Sequence, residues 1–267
     1  SAIFFFFLCN TVEAPFHLEK SGNLKQFDYI VSNPPFKLDF SDFRNNLDTK
    51  ENKERFFAGI PNVPKAKKES MAIYQLFLQH IITSLKDKGK AAVVLPTGFI
   101  TAQSGIDRKI REHLVDNKML AGVVSMPSNI FATTGTNVSI LFIDKANKGD
   151  VVLIDASNLG KKIKEGKSQK TVLSDDEEAQ ICDTFTAKQA VEDFSVVISY
   201  DDIKAKNYSL SAGQYFDVKI DYVDITADEF NAKMTEFSDT LNTLFKQSHE
   251  LEGRIKGQII SELLHFR

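Results

Sequence analysis

The chain has 267 residues, enough for one large domain or two small ones, and at 42% hydrophobic and 26% charged it can bury a substantial core. Its 36 aspartates and glutamates outnumber 33 lysines and arginines, giving a net charge of −3. That balance argues against a free-standing DNA binder, because phosphate neutralisation supplies most non-specific affinity. A nucleic-acid substrate would need a partner to provide much of the grip. The two cysteines, Cys9 and Cys182, show neither metal-ligand spacing nor a disulfide framework, which fits a reducing cytoplasm.

In chain order, the phenylalanine-rich run at 3–8 comes first. It is too short for a signal-peptide core, lacks a basic start and has no small-residue cleavage pattern, so it reads as a buried strand. No stretch approaches the roughly 20 apolar residues of a membrane span. Phe27 to Val31 reads as a buried strand, followed from Lys37 to Ser70 by a polar, lysine-rich stretch too long for an ordinary connection and therefore functional or mobile. Ile73, Leu76, Phe77, Ile81 and Leu85 form a helical stripe over 71–86, which Lys88-Gly89-Lys90 ends. Ala91 to Leu95 is a second buried strand closed by Pro96, and 106–118 suits another helix. Leu120 to Met126 and Val138 to Asp144 are two more strands, with no helix between them, and suit an antiparallel hairpin at one edge. The alternation predicts an α/β fold with a mainly parallel sheet.

After about residue 150 the pattern changes. Val151 to Asp155 and Ser195 to Tyr200 read as strands of a small α/β extension (151–225), with the polar stretch GKKIKEGKSQK between them. The acidic cluster at Asp175 to Glu178 favours a helix start. From Thr226 the residues Phe230, Met234, Phe237, Leu241, Leu244, Leu251 and Ile255 step alternately by four and three, interrupted once at Ser248. Such a heptad seam fits a helix packed on its own domain or one paired with another chain.

The stretch FDYIVSNPPF at 27–36 carries the chemistry. Asn33 follows a strand, at the carboxyl end where open α/β sheets hold their ligands. Proline fixes its own φ and restricts the residue before it, so Pro34-Pro35 pins the backbone around Asn33 and aims the Pro34 carbonyl. The Asn33 side-chain oxygen and that carbonyl form two preset acceptors for the two hydrogens of an exocyclic amino group. Phe36 offers a flat face for a ring. An aromatic amine is a poor nucleophile because its lone pair is delocalised. Two acceptors favour a pyramidal nitrogen and stabilise the positive charge that develops when it is alkylated.

The same stretch resembles the catalytic motif of amino-group methyltransferases that use S-adenosylmethionine. Downstream, ERFFAGIP, AIYQLFLQHIITSLKDKGKAAVVLPTGFI, GVVSMPSNIFATTGTNVSILFIDK and DFSVVISYDDIKAKNYSLSAGQYF resemble the modification subunit of type I restriction-modification systems. The resemblance covers most of the chain, in the family's order. It implies a partial Rossmann-like methyltransferase sheet over 1–150, the small extension, and a helical tail at 226–267 for subunit contact. It implies that Asn33, Pro34, Pro35 and Phe36 hold a flipped adenine whose N6 is methylated, with Asn33 also near the cofactor. Phe131 is either a second stacking ring or a core plug. The implied partners are DNA, a specificity subunit bound through the carboxyl-terminal helix, and a restriction subunit.

One family element has no counterpart. The family binds its cofactor through a glycine-rich loop upstream of the motif, yet no G-x-G occurs in this sequence. Only 26 residues precede Phe27, and each βαβ unit takes about thirty. The expectation is a carboxyl-terminal half that binds S-adenosylmethionine poorly alone and needs a separate amino-terminal half or self-association to cover its cut sheet. The alternatives are a non-catalytic remnant or assembly module, and a methyltransferase acting on protein glutamine or RNA bases. His17, His80, His113, His249 and His265 are scattered and suggest no metal site. Asp39, Asp42 and the lysines at 65–68 read as solvated loops.

Overall fold

The computed structural model describes residues 9–131, 136–165, 168–217 and 225–265; the phenylalanine-rich run lies outside them. The elements are β1 (Phe27–Ser32), α1 (Tyr74–Thr83), β2 (Leu85–Pro96), α2 (Gly98–Thr101), α3 (Gly105–Asp116), β3 (Leu120–Ser125), β4 (Val138–Asp144) and β5 (Val151–Asp155). They continue with β6 (Lys161–Glu165), β7 (Ser168–Val172), α4 (Asp175–Ala187), β8 (Ser195–Ile198), α5 (Tyr200–Ala205) and α6 (Ala227–His265). Residues Ser1–Phe216 form one compact unit and Asp217–Arg267 a second.

Six strands of the first unit form one sheet in the order β1-β2-β4-β3-β5-β8, while β6 and β7 pair separately. β1, β2, β3 and β5 point the same way, and β4 and β8 run against them. The expected antiparallel pair β3–β4 forms, but inside the sheet rather than at an edge, because β5 adds in parallel to β3. The reason is burial: Val151, Val152, Leu153 and Ile154 are a continuous apolar run with almost no exposure, which requires cover on both faces. The strands expected in an extension thus hydrogen-bond onto the main sheet.

A second difference lies at Gly89. The expected helix stop is instead part of β2, where the register with β1 jumps from Phe27↔Leu85 to Tyr29↔Lys90. A Cβ at Gly89 would sit 2.9 Å from the Phe27 carbonyl oxygen, so only glycine lets the two backbones approach there.

The main core gathers Leu78 and Ile81 from α1, Leu85, Val93 and Leu95 from β2, and Ile110 and Leu114 from α3. The lysine-rich 37–70 segment packs its own layer: Phe40, Leu47 and Phe56 are buried with Met71, Ile73 and Leu76. Arg55 anchors that layer. Its guanidinium donates to the Val12 carbonyl at 2.7 Å, to the Thr11 carbonyl and to His80 Nδ1 at 3.0 Å. His80 is therefore an acceptor and neutral; burial, then the Arg55 charge, pushes its pKa down to about 4. α4 begins with a capping box between Ser174 and Glu177, as its acidic start suggests. In the second unit, α6 presents the expected heptad residues, which are exposed. Among the described residues no helix is long and apolar enough to cross a membrane.

Two outcomes follow from this packing. A Cβ at Gly122 in β3 would meet the Val152 carbonyl oxygen at 2.3 Å and the Phe185 ring at 2.6 Å. Gly122→Ala is expected to lower the unfolding free energy by about 1–3 kcal/mol in urea titrations, whereas Gly98→Ala, with open space around it, leaves it nearly unchanged. The depressed His80 pKa means that the unfolded chain binds the proton more tightly. Stability due to this group is fully present above pH 6.5 and is lost as pH falls toward 4. Denaturation midpoints of the wild type should therefore drop over that window more than those of His80→Asn.

Candidate active site

The carboxyl ends of β1, β2, β3 and β5 share one rim of the sheet, and the connections leaving them converge there. The β1–β2 ladder ends at Ser32↔Val93, so Asn33 is the first residue beyond it. The two prolines turn the chain off the sheet because they have no N–H to extend the ladder. Asn33 and Pro35 are exposed, Pro34 is buried and Phe36 is half-buried. Among the described residues, neither the Asn33 side chain nor the Pro34 carbonyl takes part in a hydrogen bond. The exposed Asn33 side chain is thus available at the rim, and the Pro34 carbonyl beside it is not taken by another described group.

Phe36 is positioned from behind. Its ring meets the Tyr74 ring edge-to-face, with centroids 6.4 Å apart. Tyr74 in turn donates from its hydroxyl to Asp107 Oδ2 at 2.7 Å, and the Gln75 side-chain amide donates to Asp107 Oδ1 at 2.8 Å. Burial pushes the Asp107 pKa up, partly offset by these two donors, and burial followed by the Asp107 charge pushes the Tyr74 phenol up. The phenol therefore stays protonated and serves as a donor holding α1 and α3 together.

The turn after β2 is fixed by a buried cation. Arg111 of α3 is fully buried and donates to the carbonyls of Phe99 and Ala102, and to that of Tyr208 at 2.9 Å. Burial lowers its pKa to about 10, far above neutrality, so the charge is retained. Three carbonyl oxygens around one guanidinium satisfy a group that would otherwise be costly to bury. Alongside, the Thr97 amide donates to the Asn137 carbonyl at 2.9 Å, tying this turn to the connection between β3 and β4.

That connection carries Phe131, which is 38% exposed at the same rim. It leaves the sheet three strand positions from β1, about 14 Å away, and among the described residues no ring contact joins it to Phe36. The four motif residues Asn33 to Phe36 thus sit together at one corner of the rim, apart from Phe131. The motif gives no sign of Tyr74, Asp107 or Arg111, whose polar side chains at helical spacing look solvent-facing in sequence. Asp39 accepts from the Ser41 amide at 2.9 Å and belongs to a local turn.

The described residues do not by themselves fit S-adenosylmethionine. Beneath β1 lies a cavity of about 410 Å³ lined by Phe16, Phe27, Phe77, His17, Lys25 and His80 among others, with no acidic side chain to take a ribose. No strand among the described residues pairs with the outer edge of β1, and the sequence has no G-x-G loop.

Comparison with known proteins sets this corner in context. The chain is 29% identical over 257 residues to the type I restriction enzyme MjaIX methylase subunit of Methanocaldococcus jannaschii, covering 92% of the chain and 44% of that protein. It is 29% identical over 243 residues to the MpnII methylase subunit of Mycoplasma pneumoniae, covering 90% and 42%. The chain therefore spans less than half the length of these relatives. A crystal structure of a type I restriction-modification methyltransferase subunit from Streptococcus thermophilus shares the fold, with a TM-score of 0.62 and 24% identity over 78% of this chain and 41% of that one. The model of the N-6 DNA methylase family matches residues 7–221, and the chain belongs to that family.

Proposed function

We propose that this chain supplies the target-amine side of a DNA adenine-N6 methyltransferase, as part of the modification subunit of a type I restriction-modification system. The observation that carries the reading is the corner after β1: two unengaged acceptors, Asn33 and the Pro34 carbonyl, beside a ring fixed by Tyr74. An adenine turned out of the duplex stacks on Phe36 and gives its two N6 hydrogens to those acceptors. They hold the nitrogen pyramidal and stabilise its positive charge as the bond to carbon forms. S-adenosylmethionine, implied by the family, would supply the electrophilic methyl group, its carbon–sulfur bond breaking as the nitrogen–carbon bond forms and S-adenosylhomocysteine leaving. Among the described residues no charged base is bonded to the corner, which suits a nitrogen that sheds its proton only after alkylation. A DNA rather than a protein or RNA substrate is favoured by the family match over residues 7–221.

The reading assigns roles to the remaining parts. Residues 1–150 hold the catalytic corner, 151–225 the extension and 226–267 the helical tail. The exposed apolar seam of α6 suits helices of a specificity subunit, which reads the DNA sequence on behalf of a mildly acidic chain. Tyr29 and Val31, 75% and 86% exposed on one face of β1, mark where an amino-terminal half or a second copy packs and brings the cofactor loop. The second reading is a non-catalytic remnant or assembly module, in which the corner keeps its shape without a methyl donor.

Calorimetry separates the two. S-adenosylmethionine is expected to bind the chain only when an amino-terminal half is added; absence of binding in both cases supports the remnant, and micromolar binding by the chain alone overturns the division of labour. In the reconstituted enzyme, Asn33→Ala should lower the methylation rate about 100- to 1000-fold, the scale of losing one preorganised polar partner. Tyr74→Phe leaves the half-buried Asp107 carboxylate one donor short. It is expected to cost about 1–3 kcal/mol of stability in denaturant titrations and to weaken base stacking less than Phe36→Ala does.

A further inference from the structure

We propose that the β6–β7 hairpin is a DNA-phosphate contact flanking the candidate active site, an inference that rests on the DNA substrate argued above. Residues 160–172 hold five lysines against one glutamate, within a chain whose net charge is −3. Within them Lys161–Glu165 and Ser168–Val172 pair as an antiparallel ribbon, with Lys161 opposite Val172 and Lys164 opposite Gln169. Lys161, Lys162 and Lys164 are exposed, and none of the three makes an ion pair among the described residues.

The ribbon is held at its root. The Thr171 side chain is buried; its hydroxyl donates to the Ser128 carbonyl at 2.6 Å, and its amide to the Asn129 carbonyl at 3.0 Å. Gly160 takes a φ of +85° and donates its amide to Glu177 at 2.8 Å. A Cβ at Gly160 would meet the Thr171 methyl at 2.6 Å, so the root has no slack. Ser128 and Asn129 belong to the same rim connection as Phe131. The lysines are therefore carried on the site's rim by hydrogen bonds and packing, not on a free loop.

Lys88, Lys118 and Lys148 are exposed at the opposite rim too, so what sets the ribbon lysines apart is their place on the rim of the Asn33 corner. At the opposite rim, Lys86 pairs with Asp28 at 2.8 Å and Lys90 with Asp144 at 3.0 Å. At the site's rim Lys161, Lys162 and Lys164 make no ion pair among the described residues, although the acidic first turn of α4, Asp175 to Glu178, begins just after the ribbon. The exposed Lys37, Lys65, Lys67 and Lys68 lie at the other end of that rim, where Leu38 donates to the Met71 carbonyl at 3.1 Å. β1 and β5, from which these two basic ends spring, are four strand spacings apart, about 19 Å. The Asn33 corner thus lies on a rim with exposed lysines at both ends. Lysine is a point charge without the directional fork of arginine, suited to phosphate contacts that position a duplex without reading it. An acidic protein surface is the competing occupant. The duplex is favoured because the same rim holds the corner that grips a base.

The test uses the chain assembled with its partner subunits and a fluorescein-labelled DNA duplex, titrated by anisotropy over a salt series. Lys161→Gln, Lys162→Gln and Lys164→Gln together should weaken binding and flatten the slope of log K against log salt by between one and about three, at roughly 0.9 for each phosphate no longer neutralised. Methylation at saturating DNA and low salt should stay at the wild-type rate. Removing the same charge at the opposite rim (Lys88→Gln, Lys118→Gln, Lys148→Gln) should leave the slope unchanged. An unaltered slope in the hairpin variant, with the wild type binding normally, overturns the hairpin proposal alone. Equal losses in both variants, or loss of a partner subunit with DNA binding intact, overturn it as well. A wild-type assembly that does not bind DNA overturns the substrate reading together with it.

Discussion

The parallel pairing of β1 on β2 is the constraint on which the rest depends. It ends at Ser32↔Val93, and that endpoint sets where Asn33 leaves the sheet. Had the ladder run one residue further, the backbone of the asparagine would be tied into the pairing rather than free to turn off the sheet. The prolines prevent this from one side, and the Gly89 irregularity sets the register from the other. A glycine at one rim of the sheet thereby governs the aim of an amide at the opposite rim.

The catalytic corner and its support differ in kind. The corner is local chemistry: four consecutive residues whose covalent geometry dictates their shape. Its support is non-local, running from Phe36 through Tyr74 to Asp107 and, on the neighbouring turn, from Arg111 to Phe99, Ala102 and Tyr208. Placement of a reacting group within a fraction of an ångström depends on the second kind. In this protein the segment around Tyr208 stabilises a turn more than a hundred residues earlier.

This division explains what the sequence can and cannot disclose. Strands such as Leu120 to Ser125 and Val138 to Asp144 announce themselves by composition, and Pro34-Pro35 by stereochemistry. The insertion of β3 and β4 in mid-sheet depends on which neighbour β5 selects, and pairing partners leave no local pattern. The GKKIKEGKSQK stretch reads as merely polar because lysine alternating with short polar residues has weak strand propensity; its register is imposed by Thr171 and Gly160. Arg111 and Asp107 look like an exposed i, i+4 pair, since burial of a charge depends on carbonyls supplied from elsewhere.

The outer edge of β1, which no described strand covers, has one further consequence. In a strand bonded on a single side, alternate amides point into the ladder and away from it. Deuterium should enter 27–32 as a two-residue beat, fast and slow by turns, in contrast to the uniform protection of a strand such as β3 that has neighbours on both sides. Docking of another strand on that edge would silence the fast beats and leave the slow ones unchanged. The peptide that ends in the catalytic corner therefore contains its own label-free reporter of assembly.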